Sequence, residues 1–163
     1  MDSAQQASQQ KYQNSILYFI KYCNNQYLGA TKLNKLIYYL DFISYRDRKQ
    51  NVTGDKYIHM DYGPVGSGVN EVLGDLQKEG KIHIERVPYG ENGTFNYAAL
   101  SDPDMDVFDS YEKKLLDNIC KEFILWSTDK IVDQTHLEAP WFYSKPYDEV
   151  DYNYSKDIEF FTS

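Results

Sequence analysis

Basic residues are scarce in this chain: 17 Lys and Arg face 25 Asp and Glu, a formal net charge of −8 at pH 7. Nucleic-acid binding draws most of its affinity from cations on phosphates, so this balance argues against DNA or RNA as the main partner. It suits a basic protein partner instead, and it equally suits an ordinary soluble acidic protein. Cysteine is scarcer still. Cys23 and Cys120 stand far apart at apolar helical positions; two cysteines make no disulfide framework, and they read as buried free thiols. No stretch approaches the ~18 apolar residues that a membrane span needs. The opening M-D-S-A-Q-Q-A-S-Q-Q has neither the basic region nor the apolar run of a secretion signal, so a cytoplasmic location is expected.

Motifs of catalysis and metal binding are missing as well. His59, His83 and His136 are the only histidines, and no H-E-x-x-H, C-x-x-C or H-x-H spacing occurs among them. Gly66-Ser67-Gly68 invites a phosphate-loop reading. It lacks the third glycine of G-x-G-x-x-G and a Walker lysine, and Glu71 and Asp75 would repel a phosphate. Carboxylates are plentiful without a pairing that suggests acid–base work. The expectation is a non-enzymatic protein with no catalytic residue, no metal and no cofactor.

What the chain has in abundance is aromatic residues, with 16 Tyr and 8 Phe. This exceeds what a core of this size needs and places some tyrosines at the surface, where their large area and low rotamer entropy suit interfaces. AT-rich coding would give the same excess. Helical periodicity predicts a first helix over about 10–24, with Ile16, Leu17, Ile20 and Cys23 inward. A second is capped at Thr31 and carries the stripe Leu33, Leu36, Ile37, Leu40 and Ile43. Lys56–Asp61 reads as extended. Pro64 suits a first helical turn, so a third helix is expected over 65–79, with Val65, Val69, Val72, Leu73 and Leu76 on one face and Gly80 as its stop. Alternation over 81–87 and 94–99 around a Pro88–Gly93 turn predicts a β-hairpin. A long helix follows over about 107–126, then a short one from Ser127 or Thr128 to His136. The expected class is α+β, mainly α: a compact helical domain of about five helices with one small β-hairpin. Residues 1–9 read as flexible, 10–147 as the domain and 148–163 as an acidic aromatic C-terminal tail. Three states are open for that tail: disordered, packed on its own domain, or ordered by a partner.

Tyr62-Gly63-Pro64-Val65, placed after the helix T-K-L-N-K-L-I-Y-Y-L of Thr31–Leu40, resembles the Panacea domain, the SocA-like antitoxin domain of bacteria and their phages. Leu73, Leu76, Gly80 and Ile82 extend the likeness as L-x-x-L-x-x-x-G-x-I, as do Ser127, Thr135-His136-Leu137 and Pro140-Trp141. It covers roughly residues 28 to 147. The resemblance implies an antitoxin encoded beside a cognate toxin, such as a small alarmone-synthetase-like protein that blocks translation, and neutralisation by direct protein–protein binding. It leaves two alternatives, a protease adaptor that delivers the toxin for degradation and a DNA-binding autorepressor of the operon. Nothing here resembles the helix-turn-helix segment that many relatives carry. The expected contact surface gathers Tyr57, Tyr62, the Tyr89 loop, Tyr152, Tyr154, Phe160 and Phe161, whereas Leu36, Ile37, Leu40, Leu73 and Trp126 are expected in the core.

Overall fold

A computed structural model describes residues 2–25, 28–88 and 94–162. Along the chain lie α1 (Ser3–Tyr22), α2 (Ala30–Arg48), β1 (Tyr57–Met60), β2 (Gly63–Gly66), α3 (Val69–Lys78), β3 (Ile82–Val87), β4 (Thr94–Ala99), α4 (Ser110–Phe123), α5 (Thr128–His136) and α6 (Ala139–Phe142). Short 3₁₀ turns span Met105–Val107 and Tyr152–Asp157. The class is α+β and mainly α, as expected, but the strands form two antiparallel hairpins, β1–β2 and β3–β4, where the sequence suggested one.

The centre is α2. Its expected stripe is buried, and so is every other residue from Lys32 to Ser44, because α1, α4, α5, β2 and the second 3₁₀ turn pack around it. A helix enclosed on all sides finds partners for most of its polar side chains inside the protein, Asn34 Oδ1 being the exception among the described residues of α2. Lys32 Nζ donates to the carbonyls of Ile124 at 3.1 Å and Trp126 at 2.7 Å, a cation placed where the α4 dipole ends negative. Lys35 Nζ donates to Pro64 O at 2.7 Å, and burial pulls its ammonium down to about 7. Tyr38 and Tyr39 donate to the two oxygens of Glu138. Asp41 accepts the Val52 and Thr53 amides at 2.8 Å each, and the hydroxyls of Thr53 and Tyr57. Burial still pushes its carboxyl up to about 6, against those donors.

The junction around Pro64 differs from expectation. Gly63–Gly66 is a strand that pairs His59 with Pro64 and Met60 with Gly63, and α3 begins only at Val69. The His59 backbone turns away from β2, its N–H donating to Asp148 O and its carbonyl accepting from Tyr147 N. The His59–Pro64 pair therefore exchanges no ladder bond, and the missing proline N–H costs the strand nothing. Gly63 sits at φ +105°, and a Cβ there would lie 2.6 Å from Thr135 Oγ1 and 2.7 Å from Lys35 Cε. A glycine is required on both counts.

Other elements fall close to their expected places. The second hairpin pairs Ile82 with Ala99 through Val87 with Thr94. Capping boxes start α1 at Asp2 and Gln5 and α4 at Asp109 and Glu112, while Ser127 caps α5. Residues 3–9, expected to be loose, are the first turns of α1, exposed through Ala7 and half-buried at Ser8 and Gln9. The cap of α2 is Gly29, with Thr31 inside the first turn. Trp126 is half-buried, packed against the core. The cysteines, expected as free thiols, are joined: α1 and α4 pack together, and Cys23–Cys120 form a disulfide with Cα atoms 5.5 Å apart.

Of the three states open for the C-terminal segment, the structure shows it packed on its own domain. Val150 N donates to Tyr57 O at 2.7 Å, so residues 147–150 line the free edge of β1. Arg46 donates to the carbonyls of Ile158 and Phe160, and Val150 and Ile158 are buried. Among the described residues no helix is long and apolar enough to cross a membrane. Because Leu36 is wholly enclosed, Leu36→Ala is expected to cost about 2–5 kcal/mol in urea denaturation. Leu125→Ala, at an exposed position, should fall within about 0.5 kcal/mol of the parent.

Candidate protein-interaction surface

The tip of the β1–β2 hairpin is fastened to α5 and α6. Trp141 lies between two imidazoles, with ring centroids 4.1 Å from His59 and 4.1 Å from His136. Its Nε1 donates to Met60 O at 2.8 Å, His136 Nε2 donates to Asp61 O at 2.9 Å, and His59 Nδ1 lies 2.7 Å from Ser144 Oγ. His136 thus anchors one element to another, and all three contacts fix Tyr62 beside the end of α5.

That end of the molecule carries large apolar side chains that nothing covers. Tyr62, Phe142, Tyr143 and Tyr147 are each about two-thirds exposed, and Leu137 is 80% exposed. Scattered single hydrophobes on a surface are ordinary, whereas several in a short stretch mark an interaction site. Leu137, Phe142 and Tyr143 line a groove of about 550 Å³ whose opposite wall holds Asp157 and Glu159. Its floor is Glu138, only 7% exposed. Oε1 of Glu138 accepts from Tyr38 at 3.0 Å, and Oε2 from Tyr39 at 2.9 Å and Gln134 Nε2 at 3.1 Å. Desolvation outweighs those donors and raises the carboxyl to about 7.

The aromatic residues expected at a contact divide by burial. Tyr57 is wholly buried, its hydroxyl on Asp41 and Ile37 O, so it belongs to the core and not to an exposed surface. Tyr152 stacks on Phe42 at 4.3 Å and donates to Asp55 O. Phe160 packs edge-on against Tyr39 and Phe123, and Phe161 lies beside it. Tyr154 is half-buried and stacks on Tyr143 at 5.5 Å, so it joins Tyr62 at the surface described above. Tyr89 lies outside the described residues. Leu137, Phe142, Tyr143 and Tyr147 were not among the expected contacts. The signal for the first three was the run L-E-A-P-W-F-Y, where proline and a helix four residues long leave too little periodicity to bury every apolar side chain.

The glycines at 66 and 68 cradle a carboxylate of the protein itself. Asp55 accepts Gly68 N–H at 2.9 Å and Ser67 Oγ at 2.7 Å, and a Cβ on Gly66 would meet Asp55 Oδ2 at 2.7 Å. An incoming phosphate would face that charge. No group of three His, Cys, Asp or Glu among the described residues is placed to hold a metal ion.

Glu138 sets a pH dependence with a definite sign. Its folded value lies above its unfolded one, so its contribution to stability is complete below about pH 4.5 and is lost as pH rises through about 7. Glu138→Gln removes that loss. Urea denaturation at pH 4.5 and pH 8 should show the variant gaining on the parent by about 2–3 kcal/mol between the two.

No curated protein and no solved structure matches the chain. Residues 33–142 match the antitoxin SocA-like, Panacea domain, a span from the first enclosed leucine of α2 to the exposed phenylalanine that ends α6. The chain belongs to the SocA-like antitoxin family of Panacea domains.

Proposed function

We propose that this protein is the antitoxin of a toxin–antitoxin pair, acting in the cytoplasm, and that it neutralises a cognate translation-blocking toxin by direct contact, without catalysis. The observation that carries the reading is the family match across two-thirds of the chain, residues 33–142. The surface supports it. Tyr62, Tyr154, Leu137, Phe142, Tyr143 and Tyr147 form an apolar face of the kind that carries binding energy, set in an acidic molecule. A toxin that handles nucleotides or RNA presents a basic site, and carboxylates with aromatics are the chemistry to occlude it.

Contact by this face replaces the broader aromatic surface expected from the sequence, since Tyr57, Tyr152 and Phe160 serve the protein's own packing. Acidity weighs against operator binding as the route of action. Expression of the adjacent gene should arrest growth, co-expression of this protein should restore it, and the two should co-purify. Arrest without rescue and without a complex would reject the proposal.

A further inference from the structure

The groove beside α6 has a charge pattern that the protein leaves unanswered. Glu138, Asp157 and Glu159 line it, yet none of them forms an ion pair among the described residues. From Thr128 to Ser163 the chain holds eight carboxylates against three lysines, so five of its eight net negative charges gather in the segment that builds both walls. Apolar side chains and anions therefore share one concave surface, and each calls for a different kind of partner atom.

Glu138 has capacity left for a donor. An ionised carboxylate offers about four lone-pair positions. Tyr38 takes one on Oε1, while Tyr39 and Gln134 take two on Oε2. Among the described residues Oε1 has one donor, so it has room for another, and Glu138 lines the groove from which such a donor would come. The groups around Glu138 are Tyr38 and Tyr39 on α2, Gln134 on its own helix, and Asp157 and Glu159 on the C-terminal wall. All are neutral or anionic, so the environment rewards an arriving cation.

Resting on the antitoxin reading, we infer that this groove seats a segment of the toxin that sets an apolar side chain against Leu137, Phe142 and Tyr143 and a Lys or Arg on the Glu138 carboxylate, with Asp157 and Glu159 flanking the cation. The charge complementarity selects this occupant over a second copy of the chain, whose surface is acidic and would meet like charge. Arginine fits best, since its guanidinium is weakly hydrated and offers further N–H donors to the flanking carboxylates. The apolar contact supplies binding energy and the cation supplies register.

The test uses the full-length protein and the product of the adjacent gene, with affinity measured by calorimetry. Asp157→Lys with Glu159→Lys, both exposed, should weaken binding about tenfold or more and flatten its dependence on salt. Phe142→Ala with Tyr143→Ala should weaken it about thirtyfold or more. Parental affinity should strengthen several-fold, to about tenfold, from pH 6 to pH 8 as Glu138 ionises, while Glu138→Gln binds more weakly with a flat profile. A parental complex whose affinity stays within about twofold in both double variants would overturn the inference and leave the antitoxin reading standing. Weakening by the apolar pair alone, with rim reversal and Glu138→Gln silent, would also overturn it, because no cation would then occupy the floor. A concentration-dependent dimer abolished by Leu137→Asp would place a second copy in the groove and overturn it too. Absence of both rescue and complex for the parent would remove the antitoxin reading, and this inference with it.

Discussion

Enclosure of α2 is the constraint from which the rest of the structure follows. A helix surrounded on every side cannot leave an amine, a phenol or a carboxylate without a partner, since a buried polar group left unpaired costs about 1–3 kcal/mol and a charge costs more. Lys32, Lys35, Tyr38, Tyr39 and Asp41 therefore reach outward to four neighbours. Lys32 meets the end of α4, Lys35 the carbonyl of Pro64, Tyr38 and Tyr39 together the carboxylate at the α5–α6 junction, and Asp41 the loop leading into β1. Apolar packing supplies the driving force, while these bonds decide which element docks on which part of the helix. Tyr38 and Tyr39 carry the arrangement to the surface, because the Glu138 they hold is the floor of the groove.

Much of this architecture was legible in the sequence. Strong 3.6-residue periodicity gave α2, α4 and α5 almost as they stand, and strict alternation gave β3 and β4. What local rules could not reach was context. Pro64 satisfies the rule for a first helical turn and equally that for a strand position whose N–H faces no partner. The second applies because residues 147–150, more than eighty positions later, claim the backbone of β1. The cysteines likewise carried no pairing signal, since only the packing of α1 on α4 brings them together.

The candidate surface was less legible, for a related reason. Tyrosine has one composition signal and two uses. Tyr57 and Tyr152 turn their hydroxyls to internal acceptors and serve the core, while Tyr62 and Tyr143 stand in solvent. Which use applies depends on the distance to an acceptor from another element, and that is a tertiary quantity. Leu137 and Phe142 carry no such signal, because a four-residue helix shows no period from which an outward face can be read.

The strand-like run at 147–150 has a further consequence, for solubility. By occupying one side of β1 while β2 occupies the other, it leaves that strand with no unpaired edge. The opposite margin of the pair carries Pro64, which cannot extend a ladder. The sheet is thus sealed against growth by neighbouring molecules. Proteolytic trimming ahead of Tyr147 would unseal it and present Y-I-H-M, an apolar and aromatic edge, as a template for chain-to-chain pairing. A few residues beyond the matched domain therefore act as its guard against aggregation.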